Sequence, residues 1–168
     1  MLRKALALAT AGALCALVGV VSTGCDKGTD GMEVFEAVLS TQNEVPVRST
    51  AANGRAQFVS DGTTVHYTIE VDDINAVIAA HIHSAPAGVN GPIRVFFFGG
   101  GSPNPGGPST FTDKSILAQG SFNASNVTGV SFADLLNQMR SGQAYVNVHT
   151  TAFPGGEMRG QIQVVNVN

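Results

Sequence analysis

Between Thr64 and Val71 the side chains alternate without a break. Val65, Tyr67, Ile69 and Val71 fall on one side of an extended chain, and Thr64, His66, Thr68 and Glu70 on the other. A period of two sets one row against a core and the other toward water, a division a helix cannot make. Just upstream, Ser60-Asp61-Gly62 separates this run from the extended Gly54–Val59. Asp-Gly between two strands predicts a tight hairpin. The run must therefore pair antiparallel and bury only one face.

The remainder follows the same pattern. Val34–Ser40 reads as a strand broken by Asn43-Glu44-Val45-Pro46, and Val77–His83, Ile93–Phe98, Ile116–Phe122 and Ala144–Thr150 read as further strands. Gly160–Val167 closes the set with Ile162, Val164 and Val167, while Gly99–Pro108 is too rich in Gly, Pro and Asn to be other than loop. One segment departs from alternation. Ser131–Arg140 spaces Phe132, Leu135, Leu136 and Met139 as one helical face, with Ser131 as N-cap, Asp134 in the first turn and Gly142 beyond the end. Seven or eight strands with one short helix predict an all-β Greek-key β-sandwich or barrel-like sandwich. A chain with 43% hydrophobic and 12% charged residues has the apolar content for such a core and is not a disordered tail.

The N-terminus carries an address. Arg3 and Lys4 precede an uncharged apolar run from Ala5 to Val21, which ends at Ser22-Thr23-Gly24-Cys25. The run has the length of a signal-peptide core with its flank and is short for a membrane span. Small residues directly before a Cys resemble the lipobox of bacterial lipoproteins, in which the Cys is lipidated and becomes the mature N-terminus. Ser22 stands where that motif usually has Leu, so cleavage by ordinary signal peptidase, giving a soluble secreted or periplasmic protein, is the alternative. Cys15 lies inside the leader, leaving Cys25 as the sole mature cysteine, unable to form an internal disulfide. Residues 1–24 are thus expected to be a signal peptide, with Cys25 lipidated and residues 25–31 a flexible, Gly-rich tether. Loss of Arg3 and Lys4 leaves 7 basic against 12 acidic residues, a net charge of −5. No basic surface for nucleic acid is expected.

Three histidines sit in pointed phrases. In the strand around His81-Ile82-His83, two imidazoles project from one face with Ile82 behind them. His149 follows in Asn147-Val148-His149-Thr150. Such a set has two readings. Neutral imidazoles can pin the Pro86–Pro92 loop through hydrogen bonds to backbone groups. Alternatively, His81, His83 and His149 bind a Cu or Zn ion. His66 falls on the polar face of its strand and is expected in water. Glu157 and Arg159, two apart, predict a structural ion pair or an arginine bound to loop carbonyls. Gly88, Gly91, Gly155 and Gly156 are expected at positive φ in turns. No Ser/His/Asp elbow or cysteine nucleophile presents itself, and no catalytic residue is assigned.

FEAVLSTQNEVP, AAHIHSAPAGVNGPIRV and AYVNVHTTAFPGGEMRGQI, in that order, resemble the CHRD domain, the module named from chordin and found in many exported bacterial proteins. The resemblance covers residues 32–166. It implies an all-β sandwich, immunoglobulin-like or superoxide-dismutase-like, and in chordin an extracellular part of a growth-factor-binding protein. It brings no established enzymatic activity. A His-x-His strand with a distant His is also similar to the copper–zinc superoxide dismutases. This chain lacks their disulfide and longer His/Asp series, and dismutase activity is not expected. The sequence thus predicts a membrane-anchored, non-enzymatic interaction module of the cell envelope, facing the periplasm or cell surface, with a protein or envelope partner. The alternative is a copper- or zinc-binding protein using the three histidines.

Overall fold

The computed structural model describes residues 31–102, 104 and 106–165. The expected leader, Cys25, the tether up to Asp30 and residue 166 lie outside the described residues. In chain order the elements are β1 (Glu33–Ser40), β2 (Asn53–Ser60), β3 (Thr64–Asp72), β4 (Ile74–Ser84), β5 (Ile93–Phe98), β6 (Ser109–Phe111), β7 (Ser115–Asn123), α1 (Phe132–Arg140), β8 (Ala144–Thr150), β9 (Met158–Gln161) and β10 (Gln163–Val164). Single 3-10 turns at Thr41–Asn43 and Ala124–Asn126 complete the set.

The β2–β3 hairpin forms where Asp-Gly predicts it. Asp61 Oδ1 accepts from the backbone N–H of Thr63 and Thr64 at 2.8 and 2.7 Å, and Gly62 takes φ +86°. This left-handed conformation favours glycine. On β3, Val65, Tyr67, Ile69 and Val71 are buried, His66 is exposed, and Thr64, Thr68 and Glu70 are partly exposed. Ile69→Ala is therefore expected to cost about 2–5 kcal/mol in chemical denaturation. Thr68→Ala should stay within about 0.5 kcal/mol. Equal costs would show the two faces to be wrongly assigned.

All pairings are antiparallel, and they join the strands into one sheet in the order β5-β4-β8-β9-β1-β2-β3-β7, with β10 on β1 and β6 on β4. The terminal strands β5 and β7 touch, so the sheet is nearly closed and barrel-like. The all-β class with one short helix holds. The core is aromatic at one end, where Phe97 packs on Tyr67 at 4.4 Å between centroids and on Phe58 and Phe122 at 6.1 and 6.0 Å. Helix α1 is capped by Ser131, whose side chain accepts from the Asp134 N–H, and it buries Leu135, Leu136 and Met139. Among the described residues no helix is long and apolar enough to cross a membrane.

One local expectation fails, and one short strand had no sequence signal. Gly160–Val167 is not one unbroken strand: β9 ends at Gln161 and β10 begins at Gln163, with Ile162 between them donating its N–H to Ala144 O. Ile162 is buried while Val164 is exposed, although their spacing puts them on one face of a continuous strand. Strand β6, directly after the Gly/Pro loop, pairs with an irregular stretch of β4 through two residues.

Strand β8 has consequences for function. All seven of its residues are buried. Ala144, Val146 and Val148 belong to the hydrophobic core. Tyr145, Asn147 and His149 alternate with them and therefore face the other side of the sheet. Burial there means that the second face is covered too, and what covers it is polar.

Candidate metal centre

Strands β4 and β8 run antiparallel with Ala79 opposite His149, His81 opposite Asn147 and His83 opposite Tyr145. A diagonal step brings His149 beside His81, within reach of long side chains. The three ring centroids stand 4.9 Å (His81–His149), 5.6 Å (His81–His83) and 5.8 Å (His83–His149) apart. One nitrogen from each ring lies within 4.8 Å of the others. The rings are 6, 7 and 8% exposed for His81, His83 and His149. Ile82 is fully buried behind the pair.

Outer partners fix two of the tautomers. His83 Nδ1 lies 2.9 Å from Gly91 O, and His149 Nδ1 lies 3.0 Å from Pro154 O. A carbonyl only accepts, so each Nδ1 carries the proton and each Nε2 presents a lone pair. His149 Nε2 faces His81 Nδ1 at 3.2 Å, and His83 Nε2 is buried with no protein partner. Two nitrogens bound to one tetrahedral ion at about 2.0–2.1 Å would stand about 3.3 Å apart. The 3.2 Å gap therefore suits either a His81–His149 hydrogen bond or two ligands of one ion. The second state needs only that His81 carry its proton on Nε2.

The rings are held neutral. Burial above all, then repulsion from His149 and His83, pushes the His81 pKa down to about 3. Burial likewise takes His83 down to about 4, against the Gly91 hydrogen bond and with help from His149 and Arg159. His149 is lowered too, by burial first, while the Pro154 bond and Glu44 oppose and Arg159 assists. Competition between protons and a metal, expected near the ordinary pKa of 6.5 for free imidazole, moves to lower pH.

Around the triad lies a polar layer, in which Glu44 Oε1 and Asn147 Oδ1 are buried without a protein partner, as His83 Nε2 is. His83 stacks on Tyr145 at 5.0 Å with planes 12° apart, and the Arg159 guanidinium sits 4.5 Å from the same ring. Tyr145 Oη accepts from the Gly91 N–H at 3.1 Å. A side chain at Gly91 would collide with Ser84 O, so glycine is required for this approach rather than for positive φ. Gly88 and Gly156 do take positive φ; Gly155 does not. Arg159 Nε and Nη2 donate to Glu44 Oε2 at 3.0 and 2.7 Å, with both side chains almost wholly buried. The same guanidinium reaches Val89 O and Asn90 Oδ1.

The Glu157–Arg159 pair is thus not formed, although Arg159 does bind a loop carbonyl. Glu157 instead accepts from the hydroxyls of Thr50 and Thr150 at 2.8 and 2.7 Å. His66, exposed on β3, takes no part. Loop pinning and ligand geometry turn out to be compatible, since the carbonyl bonds that tie down both loops are those that aim the Nε2 lone pairs. Tyr145 and Asn147 were readable, sharing parity with His149 in AYVNVHT. Glu44 had no local signal beyond its place in QNEVP, since it meets Arg159 only through the fold.

The CHRD domain family model matches residues 35–162. No curated protein and no solved structure matches the chain.

Proposed function

The chain belongs to the CHRD domain family, and on that premise we propose that it is an exported, membrane-anchored binding module whose working element is the three-histidine centre, holding one copper or zinc ion. Family membership is consistent with a binding module and supplies no reaction. The observation that carries the metal reading is His83 Nε2. It is buried, made a bare acceptor by the Gly91 bond, and without a protein partner beside two further imidazole nitrogens. A purely structural cluster would be expected to satisfy that atom, because a buried unpaired acceptor costs about 1–3 kcal/mol. An ion bound by all three rings satisfies it. The carbonyl partners of His83 and His149 are the outer contacts that orient metal-binding imidazoles.

Metal analysis of the purified chain tests this reading. After loading with copper or zinc and gel filtration, the protein should retain about one ion per chain, removable by a chelator and restored on reloading. Substoichiometric metal after loading contradicts the proposal.

Support for the anchor rests on the apolar run Ala5–Val21 and on Cys25 as the sole cysteine after it. Cys25→Ser should shift the protein from the membrane fraction to the soluble fraction. A wild-type chain already soluble, with a free thiol by mass spectrometry, contradicts the anchor and leaves the metal centre untouched.

A further inference from the structure

Resting on the metal reading above, the geometry points to the charge of the ion: we infer that the His81–His83–His149 centre is built for monovalent Cu(I) in preference to divalent Zn(II). The three donors are neutral nitrogens, and the cluster includes neither carboxylate nor thiolate. The ligands therefore leave the full charge of the ion in place. Their outer partners are the backbone carbonyls of Gly91 and Pro154, also neutral. A carboxylate in that position would lend a bound imidazole negative character; a carbonyl lends far less.

The formal charges that act on the rings belong to one ion pair. The Arg159 guanidinium lies 4.5 Å from the Tyr145 ring that stacks on His83, and Glu44 is bound to it. Since Glu44 and Arg159 are joined through Oε2, their fields largely cancel, and the cation reaches more of the site. The other buried carboxylate nearby, Glu157, is held by the Thr50 and Thr150 hydroxyls and is not among the three ligands.

The walls make that matter. Phe96 sets its edge against His81 at 4.9 Å and 83°, Tyr145 lies flat on His83, and all three histidines are buried. The cost of moving an ion from water into such surroundings rises with the square of its charge, so a divalent ion pays about four times what a monovalent one does. Coordination number points the same way. Zn(II) completes a tetrahedron with a fourth ligand. Cu(I), a filled-shell monovalent ion for which imidazole is a suitable donor, is satisfied by three.

The test uses the purified full chain with Cys15 and Cys25 replaced by Ser, so that neither thiol competes for a soft ion. Under anaerobic conditions Cu(I) is titrated against a chromogenic Cu(I) chelator, and Zn(II) against a zinc chelator. One Cu(I) should bind per chain, about 100-fold or more tighter than Zn(II). Phe96→Glu, at a half-buried position, should narrow that gap by about tenfold or more by raising Zn(II) affinity. Zn(II) binding as tight as Cu(I), or a gap unchanged in Phe96→Glu, overturns the charge inference with the metal centre intact. Failure of both ions to bind overturns the metal centre itself.

Discussion

Glu44→Ala is expected to cost the folded domain about 3–5 kcal/mol, because it strands the Arg159 guanidinium in a site where the arginine is 3% exposed. Arg159 would keep its contacts to Val89 O, Asn90 Oδ1 and the Tyr145 ring. None of these carries the opposite charge. The loss corresponds to a fall in Tm of roughly 10–20 °C for a domain of this size. Replacing both partners, as Glu44→Leu with Arg159→Leu, removes the uncompensated charge and should be no worse than the single change. A loss below about 1 kcal/mol for Glu44→Ala would show that water reaches the pair and that the layer over β8 is open.

Acid should unfold the metal-free domain, with histidine as the cause. His81, His83 and His149 all have folded-state pKa values below the 6.5 of an unfolded chain, near 3 for His81 and 4 for His83. Between those limits the unfolded state binds more protons than the folded state, so stability rises with pH across the window. It is fully present above about pH 6.5 and is lost as pH falls toward 4 and 3. The rings repel one another when charged, so their contributions do not add. The combined loss by pH 4 is on the order of 3–6 kcal/mol. Denaturant unfolding at pH 7 and pH 4.5 measures it. His81→Gln and His83→Gln should each flatten the dependence. A pH-independent stability across this range would contradict the burial of the triad.

How much of this was legible depended on whether a pattern was local. The strand read as Thr64–Val71 ends one residue later, at Asp72, and was legible because alternation and an Asp-Gly turn are both near-neighbour signals. Ser131–Arg140 was equally plain, since its cap, first-turn acid and apolar face sit within ten residues. The histidine pair on β4 followed from a spacing of two, and its meeting with His149 required the β4–β8 register that the fold supplies. Glu44 is the opposite case. It lies 115 residues from Arg159, and nothing near either residue marks the pairing. Of the two readings for Glu157 and Arg159, the bond to a loop carbonyl is present and the ion pair is not. Glu157 accepts from the Thr50 and Thr150 hydroxyls, and Arg159 is joined to Glu44. The interruption at Ile162 leaves no mark in the sequence, because the residue keeps the β8 register through its N–H bond to Ala144 O.

The central claim is that His81, His83 and His149 bind one metal ion, and calorimetric titration tests it most directly. Cu(I), under anaerobic conditions, and Zn(II) are titrated at neutral pH into the metal-free purified chain with both cysteines replaced by Ser, and into its His83→Ala and His66→Ala variants. Wild type and His66→Ala should each bind one ion with Kd well below about 10 μM, and His83→Ala should lose that binding. Wild-type binding no tighter than about 10 μM for either ion, or equal binding by both variants, would contradict it and leave the triad as a clamp on the loops that cover β8.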